Sequence, residues 1–386
     1  MHPDSTASVQ RLSAGRGKLP SIQVLRGIAA SMVVFYHYEW VLKEYTNRPS
    51  WIADGGFKTL GAAGVDLFFV ISGFIMVYTT TKKAGAADAL DFLRKRATRI
   101  YPLYWVWTTA LLLLWLVGVA LKSHHYQPSF LIHSYLLLPF FDGRNYHPFL
   151  SQGWTLSFEM LFYIVFSIGI LINFKRWKLP FLCASFALLA LFSLVLPEHN
   201  GLKYLFSEPI IIEFLFGVLA AQVLLRLASD SNEDSMKRLA VALIVIGALG
   251  FLSTGFYHAA DYLRFVIYGV PALLMVTGAA MLGSSRCPRW LVYLGDASYS
   301  IYLTHAFFSM TYAVVLKKYP RLGHFPGDLT IIVAGIVTIA GASLTYPLVE
   351  RPLMRALSPK KLRASEIDSF GVAKRSPEIT EAQTLV

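Results

Sequence analysis

Ten stretches of mostly apolar residues, each near the roughly 20 needed to cross a bilayer as a helix, constrain this chain most. They are Ile22–Leu42, Gly61–Thr80, Thr98–Leu121, Gln152–Asn173, Leu179–Leu196, Leu205–Leu227, Leu239–Phe256, Tyr262–Gly283, Leu294–Leu316 and Leu329–Glu350. In hydrocarbon each backbone N–H and C=O must find a partner within the protein, which makes helix the natural form for such runs. Charged residues are only 15% of the chain and mean hydropathy is +0.52, whereas an ordinary soluble domain is about a quarter charged. That argues against both a water-soluble globule and a disordered chain. The expected fold class is an all-α integral membrane protein of about ten transmembrane helices.

One further apolar stretch, Ser129–Phe141, has 13 residues and is too short to span; it reads as re-entrant or interfacial. Charge supports leaving it out. With ten spans both termini share one side, which then carries 24 Lys and Arg against 10 on the other. The positive-inside rule places that richer side in the cytoplasm. Counting Ser129–Phe141 as a span would move Lys175, Arg176 and Lys178 outside. The net charge of +12 is therefore mostly a topology signal, and no nucleic-acid partner is implied. The expected setting is the cell (inner) membrane, with the lipid bilayer as a partner. Residues 1–21 read as a cytoplasmic tail without a removable signal peptide, 22–352 as one membrane domain, and 353–386 as a disordered cytoplasmic tail. Two cysteines, Cys183 and Cys287, give neither a disulfide framework nor a zinc pattern. The longest outward loop, about Lys122 to Ser151, holds His124, His125, His133, His147, Asp142 and Arg144 and is placed to cover an outward-facing site.

Ionisable residues inside a membrane are expensive and are functional candidates by default. Arg26 and His37 lie eleven residues apart in the first span, hence on one helix face about 16 Å apart. Alone, Arg26 reads equally well as a side chain snorkelling to the interface, and His37 as a packing histidine. In the fourth span Gln152, Thr155, Glu159 and Tyr163 form one stripe, with Glu159 near the depth of His37. A carboxylate there needs a partner, such as His37 or an arginine. Ser298, Tyr302 and His305 share a face of the ninth span. Asp66 and Ser72-Gly73 lie in the second, where Gly73 favours close helix packing. Arg96 and Arg99, three apart and followed by Tyr101-Pro102, present two guanidinium forks on one side if helical. That geometry suits phosphate oxygens, although ordinary positive-inside charge accounts for them too.

Six segments in order carry a resemblance. They are Leu25-Arg26-Gly27-Ile28-Ala29-Ala30 with His37, Gly64-Val65-Asp66-Leu67-Phe68-Phe69-Val70-Ile71-Ser72-Gly73-Phe74, and Arg96-x-x-Arg99-Ile-Tyr-Pro. The others are Trp154-Thr155-Leu156-Ser157-Phe158-Glu159, Ser298-Tyr299-Ser300-Ile301-Tyr302-Leu303-Thr304-His305 and Glu350-Arg351-Pro352. Together they resemble the acyltransferase-3 family of integral membrane acyltransferases from Ile22 to about Pro352, and most of all its exopolysaccharide (succinoglycan-type) O-acetyltransferase branch. The resemblance implies transfer of an acyl group, usually acetyl, from cytoplasmic acyl-CoA to a sugar hydroxyl of an exopolysaccharide or other envelope carbohydrate, which can be lipid-linked. It also implies functional roles for the positions corresponding to Arg26, His37, Arg96 and Arg99.

The mechanism expected from these residues has Arg26, Arg96 and Arg99 binding the phosphates of acetyl-CoA. His37 acts as general base, and Glu159 orients it or stabilises its protonated form. Ser72, Tyr302, His305 and Asp66 are candidate oxyanion or acceptor contacts. Direct attack and an acyl-histidine intermediate both remain open, and no metal is called for. Three rival readings are acylation of a non-sugar acceptor, a proton-coupled transporter, since intramembrane His, Glu and Arg also build proton relays, and a structural or sensing membrane protein without chemistry.

Overall fold

The computed structural model describes residues 19–46, 50–51, 57–121, 125–139, 147–198, 200–227, 233–256, 261–283, 287–319, 321 and 325–357. The chain before residue 19 and after residue 357 lies outside them, as do His124, Asp142 and Arg144. Among the described residues every regular element is helical. In chain order these are α1 (Pro20–Tyr45), α2 (Phe57–Thr79), α3 (Ala86–Leu116), α4 (Pro128–Leu136), α5 (Gly153–Leu171), α6 (Lys178–Ser193) and α7 (Gly201–Ser207). There follow α8 (Ile211–Leu227), α9 (Glu233–Ser253), α10 (Val270–Leu282), α11 (Arg289–Asp296), α12 (Ser298–Lys318), α13 (Gly327–Thr345) and α14 (Arg351–Leu357).

Helix occupies most of each of the ten apolar stretches. Six helical runs are long and apolar enough to cross a membrane: Leu60–Thr79, Gly153–Leu171, Gly201–Arg226, Glu233–Ser253, Phe265–Leu282 and Gly327–Leu357. The chain is a multi-pass membrane protein. The other four stretches fall short for two reasons. Helix α6 has 16 residues. Helices α1, α3 and α12 are long enough, at 26, 31 and 21 residues, but they are diluted by the polar side chains that build the candidate site.

Helix α1 is the hub of the bundle and packs against α2, α11, α12 and α13. Close approach rests on glycine. A Cβ added at Gly73 of α2 would come within 2.1 Å of the Phe214 carbonyl oxygen of α8, and one at Gly217 within 2.0 Å of the Val70 oxygen. Those separations are far inside van der Waals contact, so these two helices meet backbone to backbone.

Three departures from continuous spans have local causes. The ninth stretch is two helices, because the chain turns at Ala297 between α11 and α12. The eighth opens with a π-turn, Phe265–Gly269, ahead of Pro271, and the tenth ends in another, Tyr346–Glu350, around Pro347. Proline has no N–H for the i→i−4 ladder, and a wider turn absorbs the gap.

Within Ser129–Phe141, the short helix α4 rises only about 13 Å. Its last carbonyls have no partners in the helix itself. Helix α3 supplies them. Tyr104 donates its hydroxyl to the Ser134 oxygen at 2.7 Å, Trp105 its indole N–H to the Tyr135 oxygen at 2.8 Å, and Tyr101 its hydroxyl to the Leu136 oxygen at 2.9 Å. Leu137 closes the turn in the left-handed region at φ 57°. These bonds let a half-helix end inside the bundle.

Candidate active site

Helix α3 begins twelve residues before the apolar run that starts at Thr98. Gly85, at φ 85°, turns the chain into it, and the Asp88 carboxylate accepts the Ala84 N–H at 2.8 Å. A side chain in the first turn thus reaches back to satisfy a free donor, as in a capping box. Arg96 and Arg99 are therefore helical and share one side of α3. They face Arg26 of α1 across a cavity of about 90 Å³, room for a few waters or a small organic group. Ser72, Glu159, Tyr163, Ser298, Tyr299 and Tyr302 also line it.

The three guanidinium groups are graded by depth: Arg99 is exposed, Arg96 half-buried, and Arg26 buried at 9% exposure. Among the described residues no carboxylate lies within ion-pair distance of any of them. Arg26 donates to the Gln23 side-chain oxygen at 3.3 Å, and Arg96 to the Thr79 hydroxyl at 3.3 Å. Arg96 also lies over the rings of Phe92 and Tyr163, at 5.4 and 5.5 Å, a cation–π arrangement that holds it without neutralising it. The one carboxylate lining the cavity is Glu159. It accepts the Ser72 hydroxyl at 2.6 Å and the Tyr163 hydroxyl. Glu350 lies close by, accepts the Ser300 hydroxyl at 2.6 Å, and shares the electrostatic field of Arg26 with Arg99, Glu159 and Asp296. Three guanidinium groups and one carboxylate thus line the cavity, with Glu350 and Asp296 acting on Arg26 from further off; around the buried Arg26 the low dielectric strengthens an anion's attraction. The Ser298 hydroxyl on its wall is buried and has no hydrogen-bond partner among the described residues.

His37 and His305 do not line this cavity. They form a pair of their own, with ring centroids 4.7 Å apart. His37 Nδ1 contacts the Val33 oxygen at 2.9 Å, and His305 Nδ1 the Tyr302 oxygen at 2.6 Å. A carbonyl only accepts, so each Nδ1 carries a proton, and in the neutral ring Nε2 keeps its lone pair. His305 Nε2 is buried without a partner. Tyr302 links the pair to the cavity: its ring centroid is 5.9 Å from that of His305, and its hydroxyl meets Thr155 at 2.7 Å and the Gln152 carbonyl at 3.1 Å.

Of the residues singled out in the sequence, Arg26, Arg96, Arg99, Ser72, Glu159 and Tyr302 share the cavity. Among the described residues no hydrogen bond joins Glu159 to His37; those of Glu159 go to Ser72 and Tyr163. Asp66 is elsewhere. It is fully buried and holds Arg264 in a two-pronged ion pair, from Nε at 2.8 Å and from a terminal nitrogen at 2.6 Å. Glu213, also fully buried, lies beside that pair. Arg264 and Glu213 are not among the residues that the sequence motifs single out. The signal for them is present all the same, since each is an ionisable residue inside an apolar run. Among the described residues no three side chains of His, Cys, Asp or Glu converge as a metal site requires.

The family profile of the acyltransferase domain, acyltransferase-3, matches residues 19–347. The exopolysaccharide production protein ExoZ of Rhizobium meliloti is 32% identical over 336 residues, covering 84% of this chain and 97% of that protein. The putative peptidoglycan O-acetyltransferase YrhL of Bacillus subtilis is 28% identical over 372 residues, 87% of this chain and 55% of its own length. The O-acetyltransferase OatA of Staphylococcus aureus is 25% identical over 383 residues, 89% of this chain and 59% of its own. The chain thus spans little more than half the length of the latter two. No solved structure matches it significantly.

Proposed function

Because the chain belongs to the acyltransferase-3 family, we propose that it is a membrane O-acyltransferase moving an acetyl group from cytoplasmic acyl-CoA to a hydroxyl of an exopolysaccharide or other envelope carbohydrate. The observation that carries this reading is the cluster of Arg26, Arg96 and Arg99, three guanidinium groups around one cavity without an ion pair among the described residues. Three neighbouring cations repel one another and lose hydration, so the arrangement favours a polyanion that supplies the missing charge. The phosphates of coenzyme A fit that demand. Arg99 meets them at the mouth, Arg96 beside it, and Arg26 furthest in. A proton-coupled carrier has no use for such a cluster.

The ten-span topology, with both termini in the cytoplasm of the cell (inner) membrane, belongs to the same reading. It puts the beginnings of α1 and α12, and hence the arginine cavity, on the side where acyl-CoA is made. His37 takes the proton from the acceptor hydroxyl as general base at Nε2, while the Val33 carbonyl holds its Nδ1–H and so its tautomer. Tyr302 joins the histidine pair to the cavity, and its hydroxyl stands on the cavity wall, where turning its O–H away from the Gln152 carbonyl lets it donate to the oxygen that gains charge during transfer. Glu159, held by Ser72 and Tyr163, acts as a fixed counter-charge below the arginines. The relatives favour a sugar acceptor, since one is named for exopolysaccharide production and another for peptidoglycan O-acetylation.

The test is inside-out membrane vesicles carrying wild type or His37→Ala at matched expression, supplied with acetyl-CoA labelled in the acetyl group. The expected result is alkali-labile label in the carbohydrate fraction with wild type and at least a hundredfold less with the variant. Equal label in both removes His37 from the chemistry. Absence of label in both, with acceptor demonstrably present, overturns acyl-CoA as the donor.

A further inference from the structure

A second cavity, of about 210 Å³, lies on the other side of the Gln152–Tyr302 contact. Its walls include Tyr126 and Phe130 next to and on the half-helix α4, Phe149, Gln152 at the start of α5, and Ala306 and Met310 of α12. Tyr126 stacks on Phe130 at 5.2 Å, and Phe149 stands edge-on to Tyr126 at 5.0 Å. The two cavities share a thin wall. Gln152 faces the second and Thr155 the first, about one turn apart on α5. Tyr302 faces the first and Ala306 the second, again about one turn apart on α12. His305, whose Nε2 has no partner among the described residues, comes between Tyr302 and Ala306 on α12 without lining either cavity, and the His37 ring lies against it.

The second cavity is built for a polar guest. Gln152 is only 7% exposed, yet among the described residues its side-chain Oε1 has no hydrogen-bond partner. A buried amide oxygen without a partner costs free energy unless a ligand or water completes it. An aromatic wall with one unmet hydrogen bond suits a molecule with an apolar face and a rim of hydroxyls. Resting on the acyltransferase reading above, we infer that this second cavity is the acceptor subsite and takes one pyranose ring. The ring lies against the aromatic wall, and a hydroxyl donates to Gln152 Oε1. The acceptor and the acyl donor then occupy opposite sides of the Gln152–Tyr302 contact, so each substrate has its own entrance.

The test uses the purified full chain in nanodiscs, labelled acetyl-CoA as donor and methyl β-D-glucopyranoside as acceptor probe. Gln152→Leu keeps the side-chain volume and removes the hydrogen bond, while its backbone carbonyl still meets Tyr302. Ala306→Phe fills the cavity, and Gln152→Leu stands in for it should the larger change prevent folding. The expected result is transfer to the glucoside by wild type, with KM for the glucoside raised about tenfold in Gln152→Leu and KM for acetyl-CoA unmoved. Wild-type transfer with the same glucoside KM in both variants overturns the subsite and leaves the acyltransferase reading standing. Transfer to glycerol in preference to the glucoside overturns the pyranose assignment. Failure to transfer label to any hydroxyl overturns the acyltransferase reading and the subsite with it.

Discussion

Two arginines inside the bundle, Arg26 and Arg264, have been given opposite circumstances. Arg264 grips Asp66 with two nitrogens, and its charge is answered within the protein. Arg26 is the more deeply buried, yet its one hydrogen-bond partner is the neutral Gln23 amide, and its cavity adds two more guanidinium groups. The cost of holding a charge away from water is similar in kind for both. In the first case a carboxylate offsets it and the result is a structural tie between α2 and the π-turn before α10. In the second no carboxylate is bonded to the guanidinium among the described residues, and Glu159, Glu350 and Asp296 act on it only from a distance, which leaves a place for a ligand's negative charge to complete the site. Pairing, more than burial, separates a strut from a binding group.

Breaking the paired arginine should have the larger consequence for folding. Arg264→Leu strands the fully buried Asp66 carboxylate, and the expected loss is about 3–5 kcal/mol of stability. It is read as a lowered thermal midpoint in detergent and less folded protein in the membrane. Replacing both partners together, Asp66→Leu with Arg264→Leu, should recover most of that loss. A single variant as stable as wild type would erase the distinction between strut and binding group.

The unpaired group should behave in the opposite way. Arg99→Gln is expected to leave the thermal midpoint unchanged and to raise KM for acyl-CoA roughly ten- to hundredfold, the worth of a charged hydrogen bond to phosphate. A fall in stability without a change in KM would make Arg99 another strut.

A third, exposed cluster sharpens the comparison at its weak end. Lys83 and Lys95 flank Asp91 at 2.5 and 2.9 Å and hold its carboxyl below the usual carboxylate range. A depressed carboxyl contributes stability above its unfolded value and loses it as the pH falls through the folded one. Asp91→Asn should therefore cost less than about 1 kcal/mol at neutral pH. The difference from wild type should vanish in acid, below the ordinary carboxylate range, as a pH series of thermal midpoints will show.

The arginine cavity is largely legible in the amino-acid sequence. Arg26 stands out as a charge in an apolar run, and the three-residue spacing of Arg96 and Arg99 puts both on one helix side. Asp66 is just as visible, yet it belongs to the strut, because its partner Arg264 is 198 residues away in the chain. Glu159 matches His37 in depth, which suggests a pair, and instead it bonds to Ser72 and Tyr163. Depth along a helix says nothing of its rotation toward a neighbour.

Length and hydropathy alone determined that the chain is helical and lives in a bilayer, because a lipid-facing backbone has few other ways to satisfy its polar groups. Local chemistry likewise determined where helices start or loosen, at Gly85, Pro271 and Pro347. Which charges are paired, that two histidines meet at 4.7 Å, and that two cavities share one wall were decided by tertiary packing alone. Those are relations between helices distant in sequence. They depend on how each helix is rotated and how closely glycines such as Gly73 and Gly217 let backbones approach, and no periodicity within a single helix encodes that.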